Sequence, residues 1–89
     1  MILVSYDITE DKLRSDLSDF LLLYGSRIQY SVYVIKNTDR ILDIIHAKLE
    51  AEFKKRFSNN DSVIIIRAAD KNVKTYGNAE HRDRKILIL

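Results

Sequence analysis

Hydrophobic residues fall along this chain in two rhythms, and the rhythm changes at polar breaks. Residues 1–7, M-I-L-V-S-Y-D, open with four apolar side chains, of which Ile2 and Val4 are β-branched. A short apolar run of this kind predicts a strand buried on both faces, central in a sheet. It stops on Tyr6 and Asp7. Helical spacing follows: Leu13, Leu17, Phe20, Leu21 and Tyr24 share one face. Thr9 is a good N-cap, and Glu10 and Asp11 suit the positive end of the helix dipole. Gly25 is the expected stop, so a helix is predicted over residues 9–24.

Residues 27–35, R-I-Q-Y-S-V-Y-V-I, return to period two. Ile28, Tyr30, Val32 and Val34 alternate with Gln29, Ser31 and Tyr33, as one bent strand or as two short ones broken near Ser31. A polar turn at 36–39, with Thr38 or Asp39 as N-cap, leads into a second amphipathic helix. Ile41, Leu42, Ile45, Leu49, Phe53 and Phe57 mark its face, and it ends near Arg56. Residues 62–68, S-V-I-I-I-R-A, are the strongest strand signal in the chain and are expected beside the first strand. A turn at 69–72, a short strand over 73–76 and a turn at Gly77 and Asn78 come next. A charged stretch, 79–85, then precedes Ile86, Leu87, Ile88 and Leu89. Left as a free edge, four apolar residues would invite aggregation. Pairing with a sheet edge solves this, on a partner protomer if the linker reaches across. The element order predicts an α/β sandwich of ferredoxin-like topology, an antiparallel sheet with two helices on one face. Residues 1–77 form the core, and residues 78–89 a linker and edge strand used in dimer or partner docking.

Composition narrows the function classes. Eighty-nine residues make one domain with a small core, which a homodimer interface would naturally supplement. There is no cysteine, hence no disulfide framework and no thiolate metal site. No run is long enough to span a membrane, and the apolar start lacks the basic leader of a signal peptide. The default expectation is a cytoplasmic protein. Fifteen basic and thirteen acidic residues give a formal charge of +2, which permits nucleic-acid binding without requiring it.

The candidate chemistry lies at strand ends and in basic clusters. A carboxylate ending a buried strand needs a partner, and for Asp7 that could be a helix N-terminus, an arginine or a metal ion, or Asp7 could simply cap the next turn. Arg14 and Lys12 sit on the first turns of the helix that follows, where a solvated face would also explain them. Lys54, Lys55 and Arg56 favour a helix C-terminus; with Lys71, Lys74, Arg82, Arg84 and Lys85 they are also candidates for contact with a nucleic-acid backbone. His46, between Ile45 and Leu49, is an ordinary surface or boundary histidine. A base-stacking RNA-binding sheet would need aromatic residues on its central strands, and residues 62–68 contain none.

Two segments taken together are more specific. Tyr6-Asp7-Ile8 at the end of the first strand, and Arg27-Ile28-Gln29-Tyr30-Ser31-Val32-Tyr33 after the first helix, resemble the hallmarks of the small CRISPR-associated adaptation proteins. These are ferredoxin-like dimers that partner the CRISPR integrase. The resemblance extends over essentially the whole chain. It implies a homodimer whose sheets meet face to face, with Asp7 and its symmetry mate near each other at the cleft and able to hold magnesium. It implies a role in spacer acquisition, bridging two integrase dimers around a DNA duplex. It also implies the metal-dependent nuclease activity of some members, on single-stranded RNA or double-stranded DNA. The positions carried over are Tyr6 and Asp7 as catalytic residues, Asp7 as metal ligand, Arg14 and Arg27 toward nucleic acid, and Tyr33 at a docking surface. Two departures stand out. A second basic residue often lies two positions after Arg14, where this chain has Asp16, and the aromatic at Tyr33 is commonly Phe.

Overall fold

The computed structural model describes residues 1–77. Strand β1 (Ile2–Asp7) leads into helix α1 (Asp11–Leu22), followed by β2 (Gly25–Gln29), β3 (Val32–Ile35), helix α2 (Asp39–Lys48) and β4 (Ser62–Arg67). The four strands form one antiparallel sheet in the order β2-β3-β1-β4. The first strand is therefore central, and the strong apolar strand at 62–67 lies beside it, as its sequence predicts. This is the ferredoxin-like arrangement. The elements expected of residues 78–89, including the strand at Ile86, Leu87, Ile88 and Leu89, lie outside the described residues.

Alternation in β1 divides the sheet into two faces. Ile2, Val4 and Tyr6 are buried in the helix-side core with Leu13, Leu17, Leu21, Tyr33, Ile35 and Ile45. Successive side chains of a strand point to opposite sides, and directly paired residues share a side. Leu3, Ser5 and Asp7 therefore face away from the helices. Pairing of Leu3 with Val34 and Ile66, and of Ser5 with Val32 and Ile64, gives that far face an apolar stripe. Asp7, opposite Ser62, lies at its end.

Several boundaries differ from the sequence reading, each for a local reason. Helix α1 begins two residues later than expected, because the Glu10 carboxylate, not Thr9, caps the amides of Lys12 and Leu13. The helix also ends earlier, at Leu22. Gly25 is not its left-handed cap. It starts β2 and pairs with Ile35, where a Cβ would lie 1.9 Å from the Val34 carbonyl oxygen. Two strands form where one bent strand was possible. Tyr30 and Ser31 make the turn, and a bulge between Arg27 and Gln29 shifts the register. Ile28 and Val34 are buried, but so is Tyr33, which pairs with Val4 and points into the core, and Tyr30, in the turn, lies exposed. The strand expected at 73–76 does not form. The Val73 amide instead donates to the Asp70 carbonyl, closing a 3-10 turn over Asp70–Asn72.

Helix α2 is capped by the Thr38 side chain and runs on through a π-helical turn (Leu49–Phe53) into a 3-10 turn (Lys54–Arg56). The wider turn, with the Lys54 amide donating to the Leu49 carbonyl, keeps Leu49 and Phe53 on the core side. Phe53 meets Phe20 of α1 with ring centroids 5.6 Å apart. The loop before β4 is fixed by Asp61, whose carboxylate accepts the Thr9 amide at 2.9 Å and the Ser58 amide at 2.7 Å.

Two predictions follow from these constraints. Gly25→Ala forces β2 away from β3 and should destabilise the protein by about 1–3 kcal/mol, read by urea unfolding. The amides of Ser58 and Thr9 hold the Asp61 carboxyl below the usual carboxylate range. Its contribution to stability is therefore present above the unfolded value and is lost as pH falls through the lower folded one. Thermal melts below roughly pH 4 should fall less steeply for Asp61→Asn than for the wild type.

Candidate functional site

At the centre of the helix-side face stands a hydroxyl with all its hydrogen-bonding capacity used. Tyr33, 0% exposed, donates to Ser18 Oγ of α1 at 2.6 Å. Its single proton is thereby committed, so the 3.0 Å contact with the Tyr6 hydroxyl must have Tyr6 as donor. Arg27 Nε donates to the same oxygen at 3.1 Å, and Arg27 Nη2 reaches Ser18 Oγ at 2.8 Å. The rings of Tyr6 and Tyr33 stack at 5.7 Å, and the Arg27 guanidinium lies 5.6 Å from the Tyr33 ring centroid. Burial, then the bond to Tyr33, pushes the Tyr6 phenol up to about 12, so Tyr6 remains a neutral donor at physiological pH.

The motif Tyr6-Asp7 thus splits across the sheet. Tyr6 belongs to the buried network, whereas the Asp7 side chain is exposed on the opposite side. Tyr33, expected at a docking surface, is instead fully enclosed between sheet and α1, because it pairs with Val4 of β1 and so shares its helix-side face. Tyr6, Asp7, Ile8, Arg14, Tyr30 and Ser31 nevertheless rim one shallow depression where β1 ends. Arg14 is held there by the loop it follows: Nη1 donates to the Ile8 carbonyl at 2.9 Å, and Nη2 meets Asp11. A guanidinium over these carbonyls fixes the direction in which the chain leaves β1, and so the position of Asp7.

The remaining basic candidates lie elsewhere. Lys54, Lys55 and Arg56 are exposed on the turn after α2. Lys54 pairs with Glu50 at 3.3 Å, and Arg56 reaches Asp16 of α1 at 3.0 Å. Asp16 also takes Lys12 at 2.7 Å, and these two cations hold its carboxyl below the usual range. The acid that departs from the expected basic pattern is therefore a bridge between the helices. Arg82 and Arg84 lie outside the described residues. Ser18, Asp61 and the apolar stripe escaped the sequence reading. A serine next to Leu17 on the buried face of a helix was the available signal for the first, and the unbroken apolar run of β4 for the last.

Magnesium prefers near-octahedral oxygen ligands and keeps several waters alongside one or two carboxylates. Asp7 offers one exposed carboxylate on an accessible face, which fits one half of such a site; the described residues of a single chain gather no cluster of three acidic or histidine side chains.

A family model described as CRISPR associated protein Cas2 matches residues 1–76. The chain belongs to the Cas2 family. Two solved structures share its fold. A hypothetical protein from Thermus thermophilus is 28% identical with a TM-score of 0.69, over 85% of this chain and 88% of that one. Cas2 from Streptococcus pyogenes is 23% identical with a TM-score of 0.67, over 85% of this chain and 98% of that one. The Cas2 match spans both hallmark segments, the end of β1 and the β2–β3 hairpin. As in the sequence, no helix among the described residues is long and apolar enough to cross a membrane.

The Tyr33 hydroxyl is the group on which the network depends. Tyr33→Phe removes one partner each from Tyr6, Ser18 and Arg27 and should cost about 1–3 kcal/mol in urea unfolding followed by circular dichroism.

Proposed function

We propose that this Cas2-family protein is a CRISPR adaptation subunit, a homodimer that bridges integrase dimers during spacer acquisition and contacts the backbone of duplex DNA. The observation that carries this reading is the helix-free face of the sheet. Ile64 and Ile66 are 56% and 46% exposed there, beside the half-buried Leu3 and Val32, while Val34 in the same row is enclosed. An apolar stripe of this kind is a docking surface, and a second copy supplies a self-complementary one. Two protomers joined in this way make a rigid spacer that carries two sets of Lys54, Lys55, Arg56, Arg82 and Arg84. Contacts from these residues to phosphates would position a duplex without reading its sequence and would weaken steeply with salt. Residues 86–89 would extend a sheet edge of a partner.

A second reading, magnesium-dependent cleavage of nucleic acid, is favoured by the position of Asp7 on the same face as the stripe. Dimerising through that face would give a shared groove two such carboxylates. Asp7 would hold the ion, which when bound would supply electrostatic stabilisation at a scissile phosphate. The Arg14 clamp would keep the carboxylate in place.

Ile64→Asp and Asp7→Asn separate the readings. Sedimentation should show a wild-type dimer, and Ile64→Asp should shift it to monomer and abolish spacer acquisition in cells. Asp7→Asn should remain dimeric and retain acquisition. Loss of acquisition by a dimeric Asp7→Asn protein would transfer the essential role to carboxylate chemistry. A monomeric wild type with full acquisition would overturn the dimer reading.

A further inference from the structure

Five tyrosines stand in the chain, and the fold treats them unequally. Tyr6 and Tyr33 are buried in the polar network, and Tyr24 packs edge-on against Phe20. Tyr30 is 73% exposed at the tip of the β2–β3 hairpin, and Tyr76 is 82% exposed beyond β4. We propose that Tyr30 is a phosphorylation site, with Arg14 and Arg27 as the built-in receptor for its phosphate. A separate protein tyrosine kinase performs the transfer.

Access is the first argument. Tyr30 and Ser31 make the hairpin turn, and the Tyr6 amide donates to the Ser31 carbonyl at 3.1 Å, which anchors the turn to β1. The ring is thus presented from a fixed surface turn, the kind of segment on which other proteins most often act. In the transfer, the bond from the terminal phosphorus of a nucleoside triphosphate to its bridging oxygen breaks, and a bond from that phosphorus to Tyr30 Oη forms. The nucleoside diphosphate leaves, and the phenolic proton passes to a base of the kinase.

The receptor is the second argument. Tyr30 lines one cleft of about 340 Å³ with both Arg14 and Arg27. The Arg27 guanidinium carbon lies 5.9 Å from the Tyr30 ring centroid. Its hydrogen-bond partners, the hydroxyls of Tyr33 and Ser18, are neutral and take Nε and Nη2. Nη1 therefore remains to donate, and the described residues supply this half-buried cation with no ion pair. Asp11 holds Arg14 above its usual value, and the Tyr30 hydroxyl raises it further; the same hydroxyl raises Arg27, after Tyr33 and Tyr6. One oxygen thus already sits in the field of both guanidinium groups. A tyrosine phosphate carries a charge of about −1.5 to −2 and three acceptor oxygens, and opposite arginines it gains charge-assisted hydrogen bonds.

The rim limits the gain and gives the modification its consequence. Asp11 engages Arg14, and Asp19 lines the same cleft, so two acids oppose the incoming charge. Tyr30 also rims the depression where β1 ends, together with Asp7 and Arg14. A phosphate there occupies the cations and adds to the negative charge of Asp7. Phosphorylation is therefore an off-switch for polyanions, a consequence that rests on the reading of this protein as one that binds nucleic acid. The site and its receptor do not rest on that reading.

The test uses the full-length protein with phosphotyrosine encoded genetically in place of Tyr30. Phosphorus NMR follows the phosphate through its second ionisation, which lies at about pH 6 in an ordinary phosphate ester. In the folded protein the midpoint should fall about one pH unit below that of the same chain in urea, because both arginines favour the dianion. Arg27→Gln should bring most of that difference back, and Arg27→Lys part of it. The melting temperature should rise by about 4–8 °C at neutral pH, a gain present above the unfolded midpoint and lost as pH falls through the folded one. A tyrosine kinase domain with magnesium ATP should place phosphate on Tyr30 of the unmodified folded chain, read by tandem mass spectrometry. Fluorescence anisotropy should show the phosphorylated chain losing affinity for labelled duplex DNA. Equal midpoints in the folded and unfolded chain, or a folded midpoint indifferent to Arg27→Gln and Arg27→Lys, overturn the receptor. A folded chain that the kinase leaves unmodified at Tyr30 overturns the site. Unchanged duplex affinity after phosphorylation overturns the switch. A wild type with no affinity for duplex counts against the adaptation reading instead and leaves the phosphorus result standing.

Discussion

Three side chains from β1, α1 and β2 converge on one buried oxygen of β3, and the geometry of that hydroxyl leaves little freedom to any of them. Tyr33 Oη accepts from Tyr6 and Arg27 and donates to Ser18, so its proton and both lone pairs are engaged. A fully satisfied polar group in a low-dielectric interior is stabilising, whereas one missing partner leaves a buried dipole exposed to its full desolvation cost. The four elements are thus held in one mutual arrangement by direction as well as by contact. Apolar packing of Val4, Leu17 and Leu21 around it supplies the bulk of the burial but far less orientation.

The same constraint sorts the hallmark residues by side of the sheet. Because Tyr6 must reach Tyr33, Asp7 must point the other way. One sheet thereby carries two surfaces with different chemistry: an apolar stripe ending in a carboxylate, and a cleft where an arginine and a tyrosine meet. Membership of the Cas2 family accounts for the common fold. The polar hub in this chain depends on a tyrosine and a serine, and Tyr33 stands where the resemblance leads one to expect Phe. A phenylalanine there would leave Arg27 with Ser18 as its only hydrogen-bond partner among those described.

Periodicity carried most of the architecture. β1 and β4 were legible because their apolar runs are short, rich in β-branched residues and bounded by polar breaks, and α1 and α2 because their apolar positions repeat at helical spacing. Element ends were less legible because they depend on partners distant in sequence. Gly25 looks like a helix stop until β3 is placed against it, and the pairing with Val4 that turns Tyr33 inward leaves no mark on the alternation of residues 27–35. The candidate site was legible as a set of residues but not as a geometry. Tyr6 and Asp7 are adjacent in the chain and opposite in space, a consequence of strand pleating that becomes visible only once the helix side is known. The role of Asp16 could not be read at all, since Arg56 lies 40 residues away.

That bridge between helices has an electrostatic corollary. Lys12 and Arg56 share the one carboxylate of Asp16, so this edge of the molecule carries one net positive charge where a basic residue in place of Asp16 would give three. Its field dies away within a Debye length of about 8 Å in physiological salt. A polyanion diffusing past would feel little guidance from this side, and capture there would depend on collision in a productive orientation rather than on attraction from a distance.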